Sequence, residues 1–440
     1  LGIDIKTLTC NVACASCYER TIRECGGGPA LDFDSVLKRL EAHIEDDKKN
    51  KRPDGTYCTS LPSLHGGEPL LLGRAKVEKL LKVVFAERQQ TGLQTNGLLI
   101  DSEWIDMFLK YNTSIGISLD GDTALLNAGR FADQFKIDRV MATIRRAKMA
   151  GLSVSVIAVL RKHNAAEGRV EQFIDFLKRL ADECYVHYVR TNPGIAFTPE
   201  TVAGEQLDDV EMGMALCRIA DACLSDKRYL WQPVRDVVEM LAGYGGRSTC
   251  NFVGCDVWAT ASETPIMADG SLGNCMKGGG ARDGVANLRA DKASGARSEA
   301  LAQIDMEQGG CRECKWWDCC HGGCPGEAAR DDYRNRTRFC RSYQMLFAYV
   351  QKRIEGLMPS VQVGTATPLQ NLTADGTTWE KQRIREPEIA APGAAVTQAP
   401  GTSVTQSAGH GDSHGDSHGD RPHGDSNDPA WRRAHSQWGR

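Results

Sequence analysis

Over roughly the first 240 residues the chain alternates two hydrophobic patterns. Short apolar and β-branched runs, each closed by a turn or polar signal, predict strands at Ile3–Leu8, Cys58–Leu64, Gly92–Thr95, Ser114–Leu119, Leu152–Leu160 and Cys184–Val189. Between them lie stretches of helical period: Phe33–Ile44, Ala75–Arg88, Ser102–Lys110, Phe135–Ala150 and Val170–Glu183. In Phe135–Ala150 the residues Phe135, Val140, Met141, Ile144 and Ala147 share one face, and Gly151 supplies the stop. Such alternation predicts a parallel sheet with helices packed outside it. Six units are too few for a closed eight-fold barrel, so the expected fold is α/β, a partial (β/α)6 barrel of TIM type. Asp208–Ala242 adds two more helices ahead of a cysteine-rich section.

From about Pro359 the pattern disappears into Ala, Thr, Gly, Pro, Gln and Ser, ending in His410-Gly-Asp-Ser repeats. This segment lacks the apolar residues to offset its ordering entropy, so a disordered tail is expected and the folded part is placed at 1–357. The histidines are either a flexible nickel or zinc site or a solvated appendage, and deleting residues 360–440 is expected to leave turnover intact.

Composition narrows the function classes. The chain has 440 residues, 41% hydrophobic and 25% charged, which is ordinary globular usage. A net charge of -4 gives no electrostatic case for nucleic acid or an anionic membrane as partner. No apolar run is long enough for a transmembrane helix, and Leu1-Gly2-Ile3-Asp4 opens no signal peptide. The sequence does not begin with Met, so residues missing upstream are allowed for. The outlier is cysteine, 17 in all. In a large chain without a secretion signal, that count predicts metal ligation in a reducing compartment, hence a cytoplasmic location.

Cys10-x3-Cys14-x2-Cys17 follows the first strand directly. Three thiolates on one loop hold three irons of a [4Fe–4S] cube and leave the fourth open for chemistry. The alternatives are a zinc loop lacking its fourth ligand, or three buried thiols. Further along, His65-Gly66-Gly67-Glu68-Pro69, Gln94-Thr95-Asn96-Gly97 and Ser118-Leu119-Asp120-Gly121 close the second, third and fourth strands. With the cysteine triplet these four elements, in order at strand C-terminal ends, resemble the radical S-adenosylmethionine (radical SAM) superfamily. The resemblance implies that Cys10, Cys14 and Cys17 ligate the cluster and that S-adenosylmethionine occupies the open iron. Gly66, Gly67 and Glu68 would receive its methionine amino group, the glycines because backbone must approach closely. Ser118 would lie near the ribose, Arg130 would pair with the carboxylate, and Tyr18 would screen the cluster from water. The other reading of Arg130 is a solvated loop charge.

A second group comprises Cys250, Cys255, Cys275, Cys311, Cys314, Cys320, Cys324 and Cys340, enough thiolates for two four-cysteine sites of zinc or iron–sulfur type. Its spacing resembles the SPASM domain that follows the barrel in many radical enzymes modifying peptides and proteins. The resemblance assigns Cys250, Cys255, Cys275 and Cys324 to one auxiliary [4Fe–4S] cluster and Cys311, Cys314, Cys320 and Cys340 to the other, three clusters in all. It divides the chain into a radical SAM barrel (1–242), a SPASM domain (243–357) and the tail (358–440). Cys319 is spare, either a hydrogen-atom donor to a substrate radical or a thiol without a task.

The chemistry so implied is reductive cleavage of S-adenosylmethionine to a 5′-deoxyadenosyl radical, fed by a reducing partner such as flavodoxin or ferredoxin. Auxiliary clusters that take an electron back favour a net oxidation, such as crosslink formation in a ribosomally made peptide. Sulfatase maturation, which forms formylglycine, is the runner-up. Those relatives carry an acidic base after the cysteine matching Cys275, where this chain has Met276. No general base is legible; Asp256, Asp269 and Asp318 read equally well as turn or surface carboxylates. Only nine residues precede Cys10, so a leader-binding module is a separate protein, is missing upstream, or is not needed. A small-molecule radical SAM enzyme, and a non-catalytic electron-transfer or zinc-binding protein, are the remaining alternatives.

Overall fold

The computed structural model describes residues 2–6, 9–15, 17, 19, 31–57, 59, 61–195, 204–243, 250–252, 254–255, 263–273, 296–329 and 335–357. Tyr18, Cys25, Cys58, Asp256, Cys275, Met276 and the tail 358–440 lie outside the described residues. Residues 1–381 form one unit by contact; the second unit, 382–440, lies wholly outside them.

Strands and helices alternate as the pattern predicts. They run β1 (Gly2–Lys6), α1 (Phe33–Lys49), β2 (Ser63–His65), α2 (Arg74–Arg88), β3 (Thr91–Thr95), α3 (Ser102–Lys110), β4 (Thr113–Ser118), α4 (Gln134–Met149), β5 (Val154–Leu160), α5 (Val170–Cys184) and β6 (Tyr188–Pro193). After them come α6 (Asp209–Ser225), β7 (Leu230–Gln232), α7 (Val234–Leu241), β8 (Glu263–Ile266), α8 (Ala296–Gln303) and α9 (Cys340–Leu357). All neighbouring strands are parallel, in the order β7-β6-β5-β4-β3-β2-β1-β8. The six expected strands thus form the body of a partial α/β barrel, and two short strands extend its edges. Among the described residues no helix is long and apolar enough to cross a membrane.

Local chemistry explains the element ends. Asp101 caps α3, its carboxylate accepting Trp104 N at 3.1 Å. After α4, Leu152 N donates to Ala147 O and Gly151 N to Lys148 O, with Gly151 at φ 93, a Schellman stop. The expected apolar face of α4 needs one correction: Phe135 is 76% exposed, and Ile137, one turn before Val140 and Met141, is buried in its place. Likewise Cys184 closes α5 rather than opening β6, because it completes the buried stripe of Phe173, Leu177, Leu180 and Ala181. The second strand begins only at Ser63; Tyr57 is drawn instead into a bridge with Lys51 and under the Arg88 guanidinium, 3.7 Å from its ring centroid.

Strand alternation builds a hollow interior. In β4, Thr113, Ile115 and Ile117 are buried, while Ser114, Gly116 and Ser118 face the lumen. In β5, Val154, Val156, Ala158 and Leu160 are buried and Ser155, Ile157 and Val159 line the lumen. Closed barrels fill this space with bulky side chains. Here serines and glycines leave it open.

The cysteine-rich part is bound to the barrel. β8 lies beyond residue 243 yet pairs with β1, Ile3 beside Thr264 and Ile5 beside Ile266. α9 packs on α6, where Gly213 lets the helices approach: a Cβ there would stand 2.6 Å from Met345 Sδ.

Candidate active site

The loop Thr9–Cys17 is held by its neighbours. Glu68 N donates to Thr9 O at 2.6 Å, Ala15 N to Gly129 O at 2.8 Å, and Asn96 Nδ2 to Asn11 Oδ1 at 2.7 Å. Each anchor comes from a different strand-end loop, so the motifs expected there do converge. Cys10, Cys14 and Cys17 line one cavity of about 540 Å³ at the strand C-terminal ends. That volume is in the ~300–1,000 Å³ range of small-molecule sites. Gly66, Gly67, Ser118 and Arg130 line the same cavity. Gly66 and Gly67 have φ of 82° and 57°, so backbone faces the space where a side chain would be strained.

Glu68 is placed differently from these four. It is fully buried and is not among the lining residues. Its carboxylate accepts Thr95 Oγ1 at 2.7 Å, Leu70 N at 3.2 Å and Asn96 N at 2.8 Å. Burial pushes its pKa up and these bonds oppose the rise. Glu68 therefore joins the end of β2 to the end of β3. The carboxylate that does line the cavity beside the glycines is Glu19, whose Oε2 accepts Gly67 N at 2.7 Å. In the sequence Glu19 is marked only as an acidic residue two positions after the last cysteine of the triplet.

Arg130 is no solvated loop charge. Its side chain is 11% exposed, with Nε donating to Asp120 Oδ1 at 2.8 Å. Asp120 is fully buried and also accepts Val159 N at 2.8 Å. Burial works against the charge of Arg130, but Asp120 and Cys14 outweigh it and hold the guanidinium above its usual pKa. Burial pushes Cys14 up to about 11, with Arg130 opposing. A metal or cluster would supply the positive charge that a thiolate there requires. Ser118 accepts Gln94 Nε2 at 2.8 Å, a bond that needs Gly116, since a Cβ there would stand 2.0 Å from Gln94 Oε1.

The second cysteine group is brought together in part. Cys311, Cys314, Cys320 and Cys340 surround one small cavity, with Trp316, Arg336 and Gln344 in its wall. Gln344 Nε2 lies 3.9 Å from Cys314 Sγ and 3.7 Å from Cys340 Sγ. Burial, reinforced by the neighbouring cysteines, raises Cys311 to about 11 and Cys320 well above its usual value. Four such thiols around one space suit a cluster that stabilises thiolates. Of the other four, Cys250 lines the barrel cavity, Cys324 is buried, Cys255 is half-buried, and Cys275 is outside the described residues. No disulfide joins the described cysteines, and among the described residues no three His, Cys, Asp or Glu side chains converge on a single metal ion. Cys319 is 6% exposed, within the hydrophobic core, and lines neither cavity. A hydrogen donor must reach the substrate; this thiol reaches the core instead. Asp269 is a turn residue, its Oδ1 accepting Ser271 N and Oγ.

Comparison with known proteins agrees with this geometry. Residues 5–177 match the family model of the radical SAM superfamily. A cysteine-type anaerobic sulfatase-maturating enzyme of Clostridium perfringens is 21% identical over 377 residues, covering 78% of this chain and 94% of its own. A serine-type anaerobic sulfatase-maturating enzyme of Bacteroides thetaiotaomicron is 26% identical over 202 residues, 42% of this chain and 43% of its own. Among solved structures, native anSMEcpe with bound AdoMet superposes with a TM-score of 0.62 at 19% identity, covering 82% of this chain and 100% of that one. Streptococcus suis SuiB bound to precursor peptide SuiA gives 0.51 at 17%, covering 78% and 75%. The thiol loop, the glycine turn and strands β2 to β5 thus fall within the matched segment, and residues 5–177 carry a radical SAM domain, of a superfamily that works with a [4Fe–4S] cluster and S-adenosylmethionine.

Proposed function

We propose that this chain is a radical SAM enzyme that oxidatively modifies a peptide or protein, with crosslink formation as the outcome. One observation carries the reading. The cavity walled by Cys10, Cys14 and Cys17 is also walled by Cys250 and Asn251, from the cysteine-rich part of the chain. A group held at the triplet and an electron acceptor at the auxiliary cysteines therefore address the same space.

In this reading the triplet holds three irons of one cluster. When bound, cluster and S-adenosylmethionine supply a 5′-deoxyadenosyl radical, which takes a hydrogen atom from an unactivated C–H of the substrate. The backbone of Gly66 and Gly67, with Glu19 behind it, receives the methionine amino group. Arg130, oriented by Asp120, takes the carboxylate in fork geometry, and Ser118 lies at the ribose. Glu68 acts through the turn it holds. Cys311, Cys314, Cys320 and Cys340 hold one auxiliary cluster; Cys250, Cys255, Cys275 and Cys324 hold the other. Their part is to accept the electron released when the substrate radical closes its new bond. A flavodoxin or ferredoxin supplies electrons, a separate protein presents the leader peptide, and a reducing cytoplasm suits the cysteine ligands.

A second reading, formylglycine formation in a sulfatase, is supported by the Clostridium perfringens relative, which aligns over 94% of its own length. Met276, where those enzymes place an acidic base, speaks against it. The small-molecule alternative is opposed by the precursor peptide bound to the SuiB neighbour.

Anaerobic reconstitution followed by dithionite and S-adenosylmethionine tests the enzyme class. Release of 5′-deoxyadenosine is expected; its absence, or zinc in place of iron, leaves only a non-catalytic scaffold. Incubation with a short peptide encoded nearby and with a sulfatase-derived peptide then decides the substrate. A crosslink appears as loss of two hydrogens from the first. Conversion of the second alone would make sulfatase maturation the function.

A further inference from the structure

The two auxiliary cysteine sets are joined through one buried arginine. Arg297, in the first turn of α8, is 6% exposed. Its Nη1 donates to Gly323 O at 3.1 Å, and its Nη2 to Asn335 O at 2.8 Å and Gly322 O at 3.4 Å. Gly322 and Gly323 lie between Cys320 and Cys324, so the guanidinium is seated on the segment that connects one set to the other. Towards the first set, a Cβ built on Gly322 would be 3.8 Å from Arg297 Nη1 and 3.8 Å from Cys311 Sγ. Towards the second, Gly254, which precedes Cys255, packs on Ser298, the residue after Arg297; a Cβ on Gly254 would be 3.7 Å from Ser298 Oγ. Burial works against the charge of Arg297 and is the larger effect, which the thiols of Cys324, Cys255, Cys311 and Cys320 offset only in part. Cysteines of both sets thus act on this one cation.

A four-thiolate iron–sulfur cluster is a net anion, and its reduction potential depends on the charge and hydrogen bonds around it. The geometry points to Arg297 as a fixed cation shared by both auxiliary sites, which raises the reduction potentials of the clusters they hold. This inference rests on the reading of the two sets as cluster sites. Reduction adds one electron, and so one negative charge, to a cluster. A permanent positive charge in a low-dielectric surrounding favours that reduced form over the oxidised one. In turnover the electron comes from the substrate radical, so Arg297 is a positioning residue of charge, easing the oxidative step without touching substrate. The competing role is purely architectural: a guanidinium that ties the Gly322–Gly323 turn to Asn335.

The test uses the full chain with Cys10, Cys14 and Cys17 changed to Ala, so that only the auxiliary sites report. Into this background go Arg297→Lys and Arg297→Gln, each reconstituted anaerobically, assayed for iron and titrated with dithionite and mediators under EPR. About eight irons per chain are expected. Iron near zero in the parent would overturn the cluster assignment itself, and the inference with it. With iron retained, Arg297→Gln is expected to lower the midpoint potentials while Arg297→Lys stays near the parent; each tenfold change in the reduced-to-oxidised ratio reads as about 59 mV. A fully loaded Gln variant with parental potentials overturns the inference. Should the Gln variant lose iron, the Lys variant decides. Parental potential supports a charge effect, whereas lowered potential or lost iron makes Arg297 a builder of the turn only.

Discussion

The carboxylate of Asp209 accepts the backbone N–H of Ser342 at 2.7 Å, and that of Arg341 at 3.0 Å. Asp209 opens α6, which follows the last main barrel strand; Ser342 lies in the first turn of α9, whose first residue is Cys340. Two N–H groups left open by the start of α9 are thus satisfied from another helix, across the join between barrel and cysteine-rich part. Asp209→Ala is expected to cost about 0.5–2 kcal/mol of stability, the range of a lost helix cap. It is also expected to reduce iron at the site of Cys311, Cys314, Cys320 and Cys340, which urea unfolding and iron analysis of the reconstituted variant would check.

Gly116→Ala places a methyl group where Gln94 Oε1 now lies, 2.0 Å away. Gln94 must leave Ser118, and overpacking of this kind costs about 1–3 kcal/mol. If the displaced side chain intrudes on the cavity, S-adenosylmethionine affinity falls by about tenfold for each 1.4 kcal/mol, readable by equilibrium dialysis. Unchanged affinity would remove Gln94 and Ser118 from the ligand wall.

Arg130 and Asp120 form a buried pair, 11% and 0% exposed. Removing the guanidinium by Arg130→Leu strands the carboxylate, and the expected loss is about 3–5 kcal/mol. Asp120→Asn together with Arg130→Leu is expected to recover part of that stability without restoring S-adenosylmethionine binding. Full rescue of binding would place the cofactor carboxylate elsewhere.

Asp101 both caps α3 and pairs with Arg74. The bond from Arg74 is the largest cause holding its pKa below the ordinary value, burial being a lesser opposing effect. A carboxyl depressed in the folded state contributes stability above its unfolded pKa of about 3.9, and loses it as pH falls through the lower folded value. Asp101→Asn keeps a cap acceptor and removes the titration. Its unfolding free energy is expected to fall less steeply than that of the parent below about pH 4, by well under 1 kcal/mol because the pair is half exposed.

Much of the barrel was legible because its signals are local. Spacing within ten residues fixes the thiol loop, and the glycine pair and the Ser118–Gly121 motif mark strand ends by turn chemistry alone. What escaped depends on distant partners. β7 and β8 have three and four residues, too few for any period, and exist because β6 and β1 offer them edges. Glu19 is an ordinary loop acid until Gly67 is brought to it. Glu68 and Arg130 illustrate the same limit in opposite ways. Both belong to recognisable positions, yet burial and partners decided that one faces its neighbours and the other faces the cavity. Phe135 falls off the helical stripe once the period is applied strictly: at 3.6 residues per turn it lies about 120° from Met141, on the solvent side, whereas Ile137 falls within the buried face.

The pairing of β8 with β1 has a practical consequence for dissecting the protein. Cutting the chain at residue 243 would strip the far edge of β1 and leave its amide and carbonyl row open just ahead of the thiol loop. Bare parallel edges invite pairing with other chains. The excised barrel should therefore tend to associate through that edge in gel filtration, whereas a fragment ending after α9, near residue 357, keeps β8 on β1 and should show less of it.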